Sequence, residues 1–112
     1  MPRGNDFSPI DPTETITGTW DFGPWLKIGV SLSAITTTSC AVISGTDAAA
    51  STRLLGAPAI ASSPTTGAPN GAVQQQWGTM IPSVLYIMTA TAQTSDNQVL
   101  TVYAHQLCQG PN

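Results

Sequence analysis

Charge is the scarcest component of this sequence. Lys, Arg, Asp and Glu make up 8% of its 112 residues, against about 25% in a typical soluble protein. The three basic residues, Arg3, Lys27 and Arg53, lie far apart. There is therefore no basic patch to bind nucleic acid, and none to hold the chain on an anionic membrane. Long apolar runs are also lacking. The longest, Val84 to Met88, falls far short of the roughly 18 residues of a membrane-spanning helix. Met1 to Pro12 holds no apolar stretch of the secretory-signal kind, so the expectation is a chain made and used without that export route.

Catalytic vocabulary is thin as well. There is one histidine, His105, and no glycine-framed serine of the nucleophile-elbow type. A surface or interface role is the plainer reading of His105. The acids Asp6, Asp11, Glu14, Asp21, Asp47 and Asp96 are scattered through turns and the N-terminal segment, and nothing marks a glycosidase pair among them. Asp6, Asp11 and Glu14 could approach a calcium ion if that segment folds, but solvated turn acids are the simpler reading. Each glycine of the turns stands alone, so no phosphate-cradling loop is present.

Cysteine is limited to Cys40 and Cys108, without CxxC spacing and too few for a zinc site. A disulfide between them would close a long loop and add about 4 kcal/mol by loop entropy. A reducing site of synthesis argues against the bridge and a later life outside the cell argues for it, so Cys40–Cys108 stands as a candidate. The residues by themselves point to a non-enzymatic chain with no cofactor and no metal.

What is present is β-forming. Thr13 to Leu26 (TETITGTWDFGPWL) organises the chain. Ile16, Trp20 and Phe22 recur with the period of a strand, with Gly18 between them, and Gly23-Pro24 then stops the run. Strands are expected over Glu14–Phe22, Leu32–Ile43, Arg53–Ile60, Gly71–Trp77, Ser83–Thr94 and Val99–Leu107. The clearest is Ser83–Thr94, where Val84, Tyr86, Met88, Ala90 and Ala92 line one face. In the last, Leu100, Val102 and Ala104 share a face opposite Thr101, Tyr103 and His105. The second is ambiguous: Leu32, Ala34, Cys40 and Val42 share a face, while Ile35, Ala41 and Ile43 oppose that register. Pro58 assigns the third strand to a sheet edge. In the fourth, Val73 and Trp77 stand on either side of three glutamines. Ala48–Ser51 has the length of one helical turn, Ala61–Asn70 reads as an exposed, mobile loop, and Ser95–Gln98 as a hairpin loop.

This pattern predicts an all-β fold, an immunoglobulin-like two-sheet antiparallel sandwich over residues 13–108, with an extended N-terminal arm at 1–12 and a tail at 109–112. Tyr86 supports that version, because it opens the penultimate strand and Met88 stands two residues on, where antibody domains place a core cysteine. A small jelly roll or barrel is the alternative. The proline-rich arm is either a frayed end or a segment lying on a neighbouring subunit, with Phe7 and Ile10 as its anchors. Trp25 and Trp77 are interface anchors wherever they are exposed, with burial in the core the other reading of Trp25. So weakly charged a surface gives little repulsion between copies and suits a protein covered in an assembly.

The run Asp11-Pro12-Thr13-Glu14, then Trp20-Asp21-Phe22-Gly23-Pro24-Trp25-Leu26, then Ser44-Gly45-Thr46-Asp47, resembles the fibre–tail adaptor proteins of tailed phages. The resemblance continues through Gly78-Thr79-Met80, Tyr86-x-Met88-Thr89 and Leu100 to Leu107, and so covers about residues 8 to 108. Individually these motifs are weakly specific, and their order and spacing carry the match, with Ala61–Asn70 insertion-like against it. The resemblance implies a structural, immunoglobulin-like virion protein between the tail tube or nozzle and the tail fibres. It implies several copies in a symmetric assembly, other tail proteins and the fibre as partners, and assembly in the host cytoplasm. The family offers no catalytic residues to carry over. Two other readings of a small β-sandwich are a capsid decoration protein on the head lattice and a glycan-binding or hydrolytic domain.

Overall fold

Six strands form where β-branched and aromatic residues alternate with polar ones. In the computed structural model, which describes residues 3–4 and 6–109, they are β1 (Thr15–Asp21), β2 (Leu32–Ser44), β3 (Leu54–Ala61), β4 (Ala72–Gly78), β5 (Leu85–Thr94) and β6 (Val99–Leu107). The expected arm and tail fall partly on residues 1, 2, 5 and 110–112, which lie outside the described residues. Each strand lies within two residues of its expected bounds. Short 3-10 turns occupy Gly23–Trp25 and Ala50–Thr52.

The strands make two three-stranded antiparallel sheets, in the orders β1-β4-β3 and β2-β5-β6, packed face to face as a β-sandwich. β5 is the central strand of its sheet, and its alternation is complete: Tyr86, Met88, Ala90, Ala92 and Thr94 are buried. They meet Trp20, Phe22, Val73 and Trp77 from the other sheet. Trp20 and Trp77 are both fully buried, with ring centroids 5.3 Å apart.

Each buried indole N–H needs an acceptor, because an unpaired buried donor costs about 1–3 kcal/mol. Trp20 Nε1 donates to the Met88 carbonyl across the sandwich at 3.0 Å, and Trp77 Nε1 donates to Gln106 Oε1 at 3.1 Å. Gln75 makes a third tie between the sheets, accepting from Thr38 Oγ1 at 2.5 Å.

The ambiguous register of β2 has a structural cause. Its pairing with β5 shifts between Leu32 and Ala34, between Ile35 and Thr37, and between Val42 and Ser44. At each such β-bulge two residues oppose one, so the face reset is one that period-2 reading cannot follow. The first bulge turns Ala34 outwards and brings Ile35 to the core side, opposite Ala92.

Ala61–Asn70 is exposed over most of its length, as expected, but it is tied down by hydrogen bonds. It belongs to the β3–β4 hairpin connection, folded on itself by Ser63 N–H to the Ala68 carbonyl (3.0 Å) and Gly67 N–H to the Ser63 carbonyl (2.9 Å). Asp21 pins it to the end of β1. One carboxylate oxygen accepts from Ser63 Oγ at 2.6 Å and Gly23 N–H at 3.0 Å, the other from Thr65 Oγ1 at 2.5 Å. Ser63 is buried as a result.

Candidate functional site

The two sheets part between β1 and β6, and the N-terminal arm fills part of that opening. Residues 3–4 and 6–10 run parallel to β6. Gly4, Phe7 and Ile10 donate their N–H groups to the carbonyls of Tyr103, His105 and Leu107 at 2.8, 3.0 and 3.1 Å, and Gln109 N–H returns to the Ile10 carbonyl at 2.8 Å. Ile10 is buried, and the Phe7 ring stands edge-on to Trp77 at 4.7 Å and to Trp20 at 6.2 Å. Phe7 and Ile10 thus anchor the arm on the core of their own chain.

Polar groups lock the arm further. Arg3 donates to both oxygens of Asp6, which also accepts from the His105 N–H, and Gln106 Nε2 donates to the Ser8 carbonyl at 2.8 Å. His105 Nδ1 lies 3.2 Å from the Arg3 guanidinium. A guanidinium only donates, so in a hydrogen bond between the two Nδ1 is the acceptor. Burial works to raise the Asp6 carboxyl pKa, but the Arg3 guanidinium and the His105 N–H outweigh it and hold it below its ordinary value.

Two clefts remain beside the arm. One, of about 540 Å³, lies between Gly4 and Phe7 of the arm, Thr19 and Trp20 of β1 and Val102 of β6, with Trp25 at its mouth. The other, of about 530 Å³, runs between Phe7–Ile10 and Ile16–Thr19. Together they follow the free edge of β1.

Trp25 is 40% exposed at the end of the sandwich where β1 finishes and β2 begins. Ile28, at the tip of the Lys27–Val30 turn, is 105% exposed, and Val99 is also exposed at this end. At the opposite end Ile43, Ile81 and Leu107 are exposed. The molecule measures 46 × 23 × 23 Å, so both ends of a rod-like body carry apolar side chains.

The densest polar cluster was not expected from the sequence. Asp47 accepts from Arg53 Nε at 2.8 Å and Nη2 at 2.9 Å, from Tyr86 Oη at 2.7 Å and from Ala49 N–H at 3.0 Å. Tyr86 Oη in turn accepts the Ile81 N–H at 3.0 Å. The Arg53 guanidinium holds the Asp47 carboxyl far below the usual carboxylate range. Burial and the neighbouring Asp47 carboxylate push the Tyr86 hydroxyl up to about 12. The Asp47 carboxylate takes four hydrogen bonds, so the cluster is a structural clamp on the β2–β3 connection. A turn aspartate six residues before an arginine was the visible signal; the tyrosine that completes the set is remote in sequence.

Cys40 and Cys108 are free and buried, so the candidate bridge is not formed. The register explains why. Cys40 pairs with Met88 and Met88 with Ala104, which places Cys108 two strands across and four residues along. That is about 9.5 Å sideways and about 13 Å lengthwise, whereas a disulfide needs Cα atoms within about 7 Å. Burial pushes the Cys40 thiol up to about 12 and the Cys108 thiol upwards too.

Trp77, expected as an interface anchor if exposed, is fully buried and offers no surface. Trp25 is the one of the pair at the surface. Asp6, Asp11 and Glu14 do not converge: Asp11 accepts from Thr13, Glu14 accepts from Asp11 N–H, and Asp6 is held by Arg3. Among the described residues no group of three or more His, Cys, Asp or Glu is placed to hold a metal ion. Gln75 and Gln106, buried ties between the sheets, were also missed, because glutamine in a strand ordinarily faces water. Compared with protein-family models, with curated proteins and with solved structures, the chain matches none.

Proposed function

We propose that this chain is a non-enzymatic structural protein of a tailed-phage virion, an immunoglobulin-like adaptor that joins the tail tube or nozzle to the tail fibres. The observation that carries this reading is the placement of apolar residues at both ends of an elongated sandwich. Trp25 and Ile28 stand at one end and Ile43, Ile81 and Leu107 at the other, which suits a part that bridges two neighbours.

The motifs of the resemblance support it by lying at structural joints. Trp20 and Phe22 fill the core, Asp21 fixes the β3–β4 connection, and Trp25 faces solvent. Asp47, closing the Ser44-Gly45-Thr46-Asp47 turn, binds Tyr86 of the Tyr86-x-Met88-Thr89 strand.

The immunoglobulin-like part of the reading rests on strand order. Constant-type domains place strands B, E and D in one sheet and C, F and G in the other. With β1 taken as B, the orders β1-β4-β3 and β2-β5-β6 follow that scheme. Tyr86 then sits near the start of strand F with its hydroxyl on backbone five residues upstream, the place of the tyrosine corner.

Cryo-electron microscopy of intact virions tests the proposal. The expected result is a ring of copies at the tail, touching the fibre bases. Copies spread over the head shell, or absence from the particle, would overturn it.

A further inference from the structure

Two open sheets have four edge strands, here β1, β3, β2 and β6. An edge left unprotected pairs with other chains, and proteins guard against this with covers, prolines, bulges or charges. Three of these edges are guarded. β6 is covered by the arm. β3 carries Pro58 and a register shift between Leu55 and Ala59. β2 is broken by three register shifts.

β1 has none of these devices. It pairs with β4 at all seven positions without a shift, and it holds neither proline nor lysine. Its one charged residue, Asp21, is turned to the loop that it pins. Among the described residues no backbone hydrogen bond joins the arm to β1. The clefts of about 540 and 530 Å³ lie along this edge, with the arm as their far wall, so the arm stands off from β1 rather than pairing with it.

We propose that β1 is a self-association edge. The β1 strand of a second copy adds to it antiparallel, about a two-fold axis through Gly18, and joins two three-stranded sheets into one of six strands. The strand's own sequence, Thr-Ile-Thr-Gly-Thr-Trp-Asp, selects this occupant. About that axis Gly18 meets Gly18 and Thr17 meets Thr19, while Ile16 and Trp20 stay turned into their own cores. Thr–Thr pairs are favourable cross-strand neighbours, and no like charges are opposed. A two-fold interface requires self-complementarity of this kind. The inference stands independently of the adaptor reading, since it concerns the isolated chain.

The test is sedimentation of the purified full chain over a wide concentration range, with amide hydrogen exchange followed in parallel. Expected are a reversible dimer and β1 amides that exchange more slowly as concentration rises. Thr17→Lys with Thr19→Lys, which opposes lysines across the axis, should raise the dissociation constant roughly tenfold or more. Near-ultraviolet circular dichroism reports whether that variant keeps its core, and if it does not, exchange in the unaltered chain decides alone. A chain that stays monomeric, a dimer in which β1 amides gain no protection, or β1 protection gained only with a different protein would each overturn the proposal.

Discussion

Gly18 sits in the middle of β1 with the Trp77 indole lying against its backbone. A Cβ at this position would fall 1.7 Å from the ring's Cη2 and 2.3 Å from Cζ2. Both atoms belong to a fully buried side chain enclosed by Phe7, Trp20 and Gln106, so the ring has little room to withdraw. Gly18→Ala is therefore expected to destabilise the fold by about 1–3 kcal/mol through overpacking, read by chemical denaturation. Trp77→Phe removes the outer ring atoms, so the double variant should cost less than the sum of the two single changes. Strict additivity would show that the contact is not the cause.

Asp21 poses a different single-residue case. Burial works to raise its carboxyl pKa, and hydrogen bonds from Ser63, Thr65 and Gly23 outweigh this and lower it. Replacing it with alanine leaves Ser63 and Thr65 without their shared acceptor. The expected result of Asp21→Ala is faster proteolytic cleavage and faster amide exchange within residues 62–70, with β5 exchange little changed. Unchanged protection of that loop would mean its internal hydrogen bonds suffice.

Among the elements, the arm contributes most beyond its size. It caps the edge of β6, buries Ile10 and adds Phe7 to the Trp20–Trp77 pair. Ile10→Ala should cost about 2–4 kcal/mol by cavity formation. Removal of residues 1–10 should cost more and shift tryptophan emission to the red, as water reaches the opened cleft. Stability equal to that of the full chain would place the arm outside the cooperative unit.

The same elements show what was legible beforehand. β5 could be read residue by residue because it is central, unbulged and polar on its outer face from Thr89 onwards. β2 could be bounded but not registered, since its bulges leave no mark in composition. The arm's prolines announced extended backbone but not its destination, because parallel pairing to β6 depends on contacts about a hundred residues away. Asp47, Arg53 and Tyr86 were each visible alone, and only the fold brings them together. Trp77 and Trp25 look alike in sequence, yet the alternation of β4 buries one and the turn after β1 exposes the other.

For the molecule as a whole, the titrating groups define a window of stability with two different walls. On the acid side, Asp47, Asp21, Asp6 and Asp11 all have carboxyl pKa values below the ordinary 3.8. Groups lowered by folding contribute stability that is present above about pH 4 and is lost as pH falls through their folded values. On the alkaline side, the fold raises the Cys40 thiol from 9.0 to about 12 and the Tyr86 hydroxyl from 10.0 to about 12. Burial is the first cause of both. Groups raised by folding contribute stability that is whole below their unfolded values and is lost as pH climbs towards 12.

Thermal unfolding across pH should therefore show a plateau between about pH 5 and 8, with a fall on either side. Two variants separate the walls. Asp47→Asn should lower the plateau by about 3 kcal/mol, because it breaks a buried ion pair and leaves Arg53 uncompensated, and it should flatten the acid limb. Tyr86→Phe should reduce the alkaline fall above pH 10, where Cys40 would continue to act, and should weaken the acid limb less than Asp47→Asn does, because Arg53 still holds the Asp47 carboxyl down. An acid limb unchanged by Asp47→Asn would shift the origin of acid sensitivity to Asp21 and the arm.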